Sequence, residues 1–184
     1  MPSSFFRYLF SALVLVCPGS PTSAATAPAV PEYEVKAAFL YNLLKFVQWP
    51  ANHVSNQPEP FVACVVEPDP FGSAITTVLH QKAVSGRPIE LRRLKTSEGI
   101  GECQVVFIPV RDARRVASLL RAVQRAAVLT VGESTEFLDA GGMVSLILTE
   151  GKLRLQINID AVHAADLQMS AQLLRLAQDT KGGR

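Results

Sequence analysis

Cys64 and Cys103 are thiols whose fate depends on the compartment: they pair where it oxidises and stay buried as small hydrophobes where it does not. Neither has a His or a second Cys at ligand spacing, so no metal site is expected. His53, His80 and His163 are far apart in the chain and lack neighbours that would make any of them a general base. Glu67 and Asp69 stand two residues apart, and helix capping accounts for Asp69 without catalysis. The nucleophile elbow, the phosphate-cradling loops and the zinc helix motif are all missing. Gly99 and Gly101 are followed by a strand rather than a helix, so they build no phosphate cradle. Catalysis and a cofactor are therefore not expected. What remains is a contact chemistry: Tyr41, Lys45 and Trp49 recur every four residues, two amphipathic aromatics around a cation.

The compartment is readable at the N-terminus. Residues 1–25 have the form of a secretory signal: Arg7, an apolar run from Tyr8 to Val16, and Ser23-Ala24-Ala25 as a small-residue cleavage site. The run is too short for a finished transmembrane helix, which needs about 20 apolar residues. Cleavage near Ala25 would put the mature protein in a bacterial periplasm and remove Cys17. It would leave Cys64 and Cys103, a pair expected to form a disulfide closing a loop of about 40 residues, with two separate buried thiols as the alternative. The chain has 18 basic and 16 acidic side chains, and without Arg7 the balance is close to neutral. A nucleic-acid partner held by phosphate contacts is not expected on that balance.

The elements that must carry these residues follow from periodicity. Residues 26–31 and 179–184 read as tails, and 32–178 as one domain. On a helical wheel from Glu32 to the stop at Pro50, Val35, Phe39, Leu40, Leu43, Leu44, Phe46 and Val47 fill one arc. Tyr41, Asn42, Lys45 and Trp49 gather opposite, around Ala38. Lys36 falls inside the apolar arc, with Glu32 one turn earlier as a natural partner. Apolar runs at 61–66 and 103–108, a half-exposed strand at 89–94 and a fourth strand at 127–131 alternate with helices at 69–82 and 111–125. Asp69, Ser134, Asp160 and Ser170 are the expected helix caps. Strands at 143–148 and 153–159 flank Glu150-Gly151-Lys152 as a hairpin. The fold class is therefore α/β: one domain, a mostly parallel sheet flanked by helices, and a C-terminal antiparallel hairpin at one edge.

Several stretches, in this order and spacing, resemble the YfiR family: VKAAFLYNLLKFVQWP at 35–50, DPFG at 69–72, SGRPIELRRL at 85–94, ECQVVFI at 102–108, VLTVGE at 128–133, GGMVSLILTEGKLRLQINID at 141–160 and LLRLA at 173–177. The resemblance implies a non-enzymatic periplasmic protein, often dimeric. It implies binding to the periplasmic sensor domain of a membrane diguanylate cyclase and lowered cyclic-di-GMP, with redox state as one input. A second cysteine pair found in some relatives near the hairpin is absent, since 144–148 holds no Cys. On this reading Tyr41, Lys45 and Trp49 are the partner-contacting residues, and the hairpin edge and the first helix are where a homodimer would form. The alternative is a small-molecule-binding protein using the crevice near Glu67–Phe71 and Pro109–Asp112, at the carboxyl ends of the strands.

Overall fold

The structure is a computed structural model and describes residues 31–50, 59–124, 126–177 and 179–182. The expected signal at 1–25, most of the tail at 26–31 and His53 lie outside the described residues. Helix α1 (Glu32–Leu44) opens the domain and leads into strand β1 (Val47–Gln48). Then come β2 (Phe61–Val66), α2 (Ser73–Leu79), β3 (Ala83–Val84), β4 (Arg87–Leu94), β5 (Val105–Phe107), α3 (Ala113–Ala122) and β6 (Leu129–Gly132). The chain closes with α4 (Thr135–Asp139), β7 (Val144–Thr149), β8 (Lys152–Asn158), α5 (Ile159–Ala164), β9 (Gln168–Met169), α6 (Ala171–Leu176) and β10 (Asp179–Lys181).

Eight strands form the main sheet in the order β10-β8-β7-β6-β5-β2-β4-β3, and β1 pairs with β9 apart from it. Strands β4, β2, β5, β6 and β7 run parallel, which requires cover on both faces. All six residues of β2 are accordingly buried, and they alternate strictly between two cores. Phe61, Ala63 and Val65 face Leu40, Leu43, Ile75 and Phe107 on the side covered by α1 and α2. Val62, Cys64 and Val66 face Val116, Leu119 and Phe137 on the side covered by α3 and α4. β7 and β8 form the antiparallel hairpin, with Glu150 and Gly151 both at positive φ in its two-residue turn.

Four local expectations are corrected. α1 ends at Leu44, five residues short, because Lys45 and Phe46 fold back in a tight turn and Val47–Gln48 join the ladder with β9. Gly72, at φ 56, stands at the N-cap of α2, while Asp69 accepts the Phe71 N–H in the turn before it. Asn158, rather than Asp160, caps α5, its side chain accepting the Ala161 N–H at 3.1 Å. The expected tail after 178 begins with β10, which runs parallel to Gln156–Asn158 of β8. Among the described residues the hairpin is thus an open edge over only the outer part of β8. Ser134 and Ser170 do cap α4 and α6.

Candidate functional site

α1 brings together most of the residues singled out above. Tyr41 is half-buried, and the ammonium of Lys45 lies 4.1 Å from the centre of its ring, near enough for cation–π attraction. Lys82, which follows α2, lies 5.8 Å from the same ring. Lys45 also donates to Asn42 Oδ1 at 3.2 Å. Trp49 is not in line with them. It sits past the end of the helix, where its indole Nε1–H donates to the Gln104 carbonyl at 3.0 Å. Its ring meets Phe61 edge-on, with centroids 5.0 Å apart. Tyr41 and Lys45 thus form one half-exposed cluster, and Trp49 a separate anchor for the strand that leaves α1.

Lys36 is buried, at 3% exposure. Its ammonium donates to Glu133 Oε1 at 2.5 Å, pairs with Glu32 one turn earlier, and lies 5.0 Å from the Tyr33 ring centre. Burial alone would lower its pKa, but hydrogen bonds and charge from Glu133 and Glu32 outweigh it and hold the pKa above the ordinary lysine value. Burial and the neighbouring Glu133 carboxylate likewise raise the pKa of Tyr33. The sequence pointed to Glu32 and missed Glu133, which lies 97 residues away. Its signal was an acid directly after β6, at the carboxyl end of a parallel strand. Gly132 fixes the approach, since a methyl group there would collide with the Phe137 ring that packs on it.

An apolar groove of about 890 Å³ runs between α1 and α2, lined in the middle by Val35, Ala38, Phe39, Ala74 and Val78. The two helices run in the same direction along it: Tyr33 meets Phe71 edge-on near their starts, and Tyr41 meets Lys82 near their ends.

At the carboxyl ends of the strands, the polar groups engage one another. Arg93 donates to Asp69 Oδ2 at 2.7 Å and to the Gly72 carbonyl. Arg115 donates to the carbonyls of Glu67 and Lys95. His80 and His163 are exposed and stand on different elements, after α2 and on α5. Among the described residues no three His, Cys, Asp or Glu side chains gather as a metal site would require. Cys64 and Cys103 form a disulfide, with Cα atoms 6.0 Å apart, inside the core under α3 and α4.

The family model described as YfiR/HmsC-like matches residues 33–178, from the first turn of α1 to the start of β10. The chain belongs to the YfiR/HmsC-like family. Members of this family are periplasmic and act as regulators of diguanylate cyclase signalling rather than as catalysts. Among the described residues no helix is long and apolar enough to cross a membrane. Among solved structures, a conserved domain protein from Vibrio cholerae O1 biovar El Tor is 14% identical, with a TM-score of 0.54 over 82% of this chain. The ABC domain in complex with L-Trp from Streptococcus pneumoniae is 10% identical, with a TM-score of 0.55 over 78% of this chain. The chain spans 60% of the length of each, and at these identities the likeness is one of fold.

Proposed function

We propose that this protein is a periplasmic regulatory subunit that binds the sensor domain of a membrane diguanylate cyclase and holds it in its inactive state, lowering cyclic-di-GMP. The observation that carries this reading is the match to the YfiR/HmsC-like family over the whole domain. The chemistry of the surface agrees with it. At the strand ends Arg93 is paired with Asp69 and Arg115 is held by backbone carbonyls, and the conspicuous outward feature is the cation-flanked Tyr41 beside an apolar groove. Tyr41 and Lys45 form the docking face, with Trp49 flanking it at the end of β1. Repression then means tighter binding to the inactive than to the active sensor conformation, and the depth of repression is bounded by that ratio.

The test is made in the host strain. Deleting the gene should raise cyclic-di-GMP, and the purified exported chain should bind the soluble periplasmic domain of a cyclase from that host. Tyr41→Ala should weaken this binding by about thirtyfold, as truncation of an interface aromatic commonly does, with little loss of melting temperature. Unchanged cyclic-di-GMP in the deletion strain would sink the reading. Full repression by a stable Tyr41→Ala protein would move the docking face elsewhere. A small ligand in the crevice at the strand ends would have to displace Arg115 from two carbonyls. Ligand-dependent melting without any partner would nevertheless favour that alternative.

A further inference from the structure

Strand β4 is paired with β2 along its inner side from Ile89 to Leu94, but β3 covers its outer side only at Arg87 and Pro88. Two bonds fix which backbone groups face which way. The Ile89 N–H donates outward to the Lys82 carbonyl, and the Leu94 carbonyl accepts inward from the Glu67 N–H. Backbone groups alternate sides along a strand, so Glu90, Arg92 and Leu94 bond to β2, while Leu91 and Arg93 turn N–H and C=O outward. Among the described residues nothing receives those outward groups. The open stretch is 90–94, roughly 17 Å long at about 3.3 Å per residue. Natural sheet edges are commonly closed by charged side chains that obstruct another strand. Here the charged side chains are folded back onto the two faces. Arg92 donates to Glu90 at 2.6 Å and to Glu102 at 2.9 Å on the α3 side. Arg93 donates to Asp69 and to the Gly72 carbonyl on the α2 side. A row of unpaired backbone groups of this kind is matched by another extended main chain.

The two faces say what that chain must carry, because its side chains alternate as those of β4 do. On the α2 side they lie beside Ile89 and Leu91, both half-buried against the core, and apolar residues fit there. On the α3 side they lie beside Glu90 and Glu102, two carboxylates that share the guanidinium of Arg92, and basic residues fit there. A second copy of this chain fits poorly. A two-fold axis at Leu91 drives its Arg93 into the place that Lys82 occupies opposite Ile89, and an axis at Arg92 sets two Arg92 side chains against each other. We propose that the outer edge of β4 is a strand-addition site for an extended segment of another polypeptide in which apolar and basic residues alternate. The segment continues the sheet where β3 stops. This site stands apart from the docking face at Tyr41 and Lys45, and it holds whichever sensor the protein regulates.

The probe is the peptide acetyl-Lys-Val-Lys-Val-Lys-Val-Lys-amide, and the measurement is amide hydrogen exchange of the exported wild-type chain by NMR. In the free protein the amides of Leu91 and Arg93 should exchange fast, and those of Arg92 and Leu94 slowly. Millimolar peptide should slow Leu91 and Arg93 by about tenfold or more. The counterpart with glutamate in place of every lysine should bind at least about tenfold more weakly. N-methylation of the peptide separates backbone docking from charge attraction without altering the protein. Methyl groups on the valine nitrogens remove the bonds of an antiparallel addition, and methyl groups on the lysine nitrogens those of a parallel one. One of these two peptides should lose binding and the other keep it. No slowing at Leu91 and Arg93 in millimolar peptide would overturn the proposal. So would equal effects of the two methylations, or equal binding of the basic and acidic peptides. Slowing that grows with protein concentration in the absence of peptide would give the edge to a second copy and overturn the proposal as well.

Discussion

α1 and α3 cover opposite faces of one sheet, yet they divide their side chains in opposite ways. α3 buries Val116 and Leu119 and leaves Arg114, Arg115 and Arg121 in solvent, as an ordinary surface helix does. α1 buries a charge, Lys36, and exposes Ala38, with Val35 and Phe39 half-covered beside it. The fold accounts for every part of α3. It accounts for only the inner side of α1; the outer side is the face proposed above for docking. The two faces are also tied differently: the α3 side by a covalent bridge, the α1 side by a buried ion pair.

The largest effect should come from the covalent tie. Cys64 and Cys103 are 39 residues apart in sequence, and closing a loop of that length restricts the unfolded chain by about 4 kcal/mol on the chain-entropy estimate. Reduction, or the Cys64→Ala/Cys103→Ala pair, should lower the denaturant midpoint accordingly. Equal midpoints for oxidised and reduced protein would show that the bridge contributes no stability.

The ionic tie comes next. Lys36→Met leaves the Glu133 carboxylate, only 10% exposed, without its cation. Breaking a buried pair from one side typically costs about 3 kcal/mol or more, whereas replacing both partners by apolar residues is often neutral. Lys36→Met should therefore destabilise strongly, and Lys36→Met/Glu133→Leu should recover most of the loss. The pH dependence has a definite sign. The pKa of Lys36 is raised in the folded state, so its stabilising contribution is complete below the ordinary lysine value and is lost as pH rises through the still higher folded value. Denaturant midpoints of the wild type and Lys36→Met should keep a constant separation from neutral pH up to the ordinary lysine range and converge only above it. Convergence at neutral pH would mean that the ion pair is not the cause.

Which parts of this were legible in the sequence follows from the range of the interactions. The buried parallel strands, the hairpin turn, the Ser134 and Ser170 caps and the cysteine pair are written in short windows or in compartment chemistry, and each was readable. The early end of α1 was not, because it is imposed by the ladder between Val47–Gln48 and Gln168–Met169, more than 100 residues away. The same holds for β10 on β8 and for the partner of Lys36. At the site, the wheel placed Tyr41 and Lys45 together correctly, but it carried Trp49 along a helix that had already ended. Trp49 is held instead by Gln104 and Phe61, which no local period predicts.

The smallest expected effects lie on α3, and they test whether the contrast with α1 is real. Asp112 caps α3 by accepting the Arg115 N–H at 2.8 Å, so Asp112→Ala should cost about 1 kcal/mol. Arg114 is exposed and no ion pair is formed by it among the described residues, so Arg114→Ala should stay within about 0.5 kcal/mol of the wild type. Neither change touches the face that α1 turns outward. On the proposed function both variants should therefore repress the cyclase fully, while Tyr41→Ala, on the outer side of α1, should weaken sensor binding. If Arg114→Ala weakened repression at unchanged stability, the arginine face of α3 would be a contact surface in its own right. The division between a helix explained by the fold and a helix explained by its partners would then fail at its simplest point.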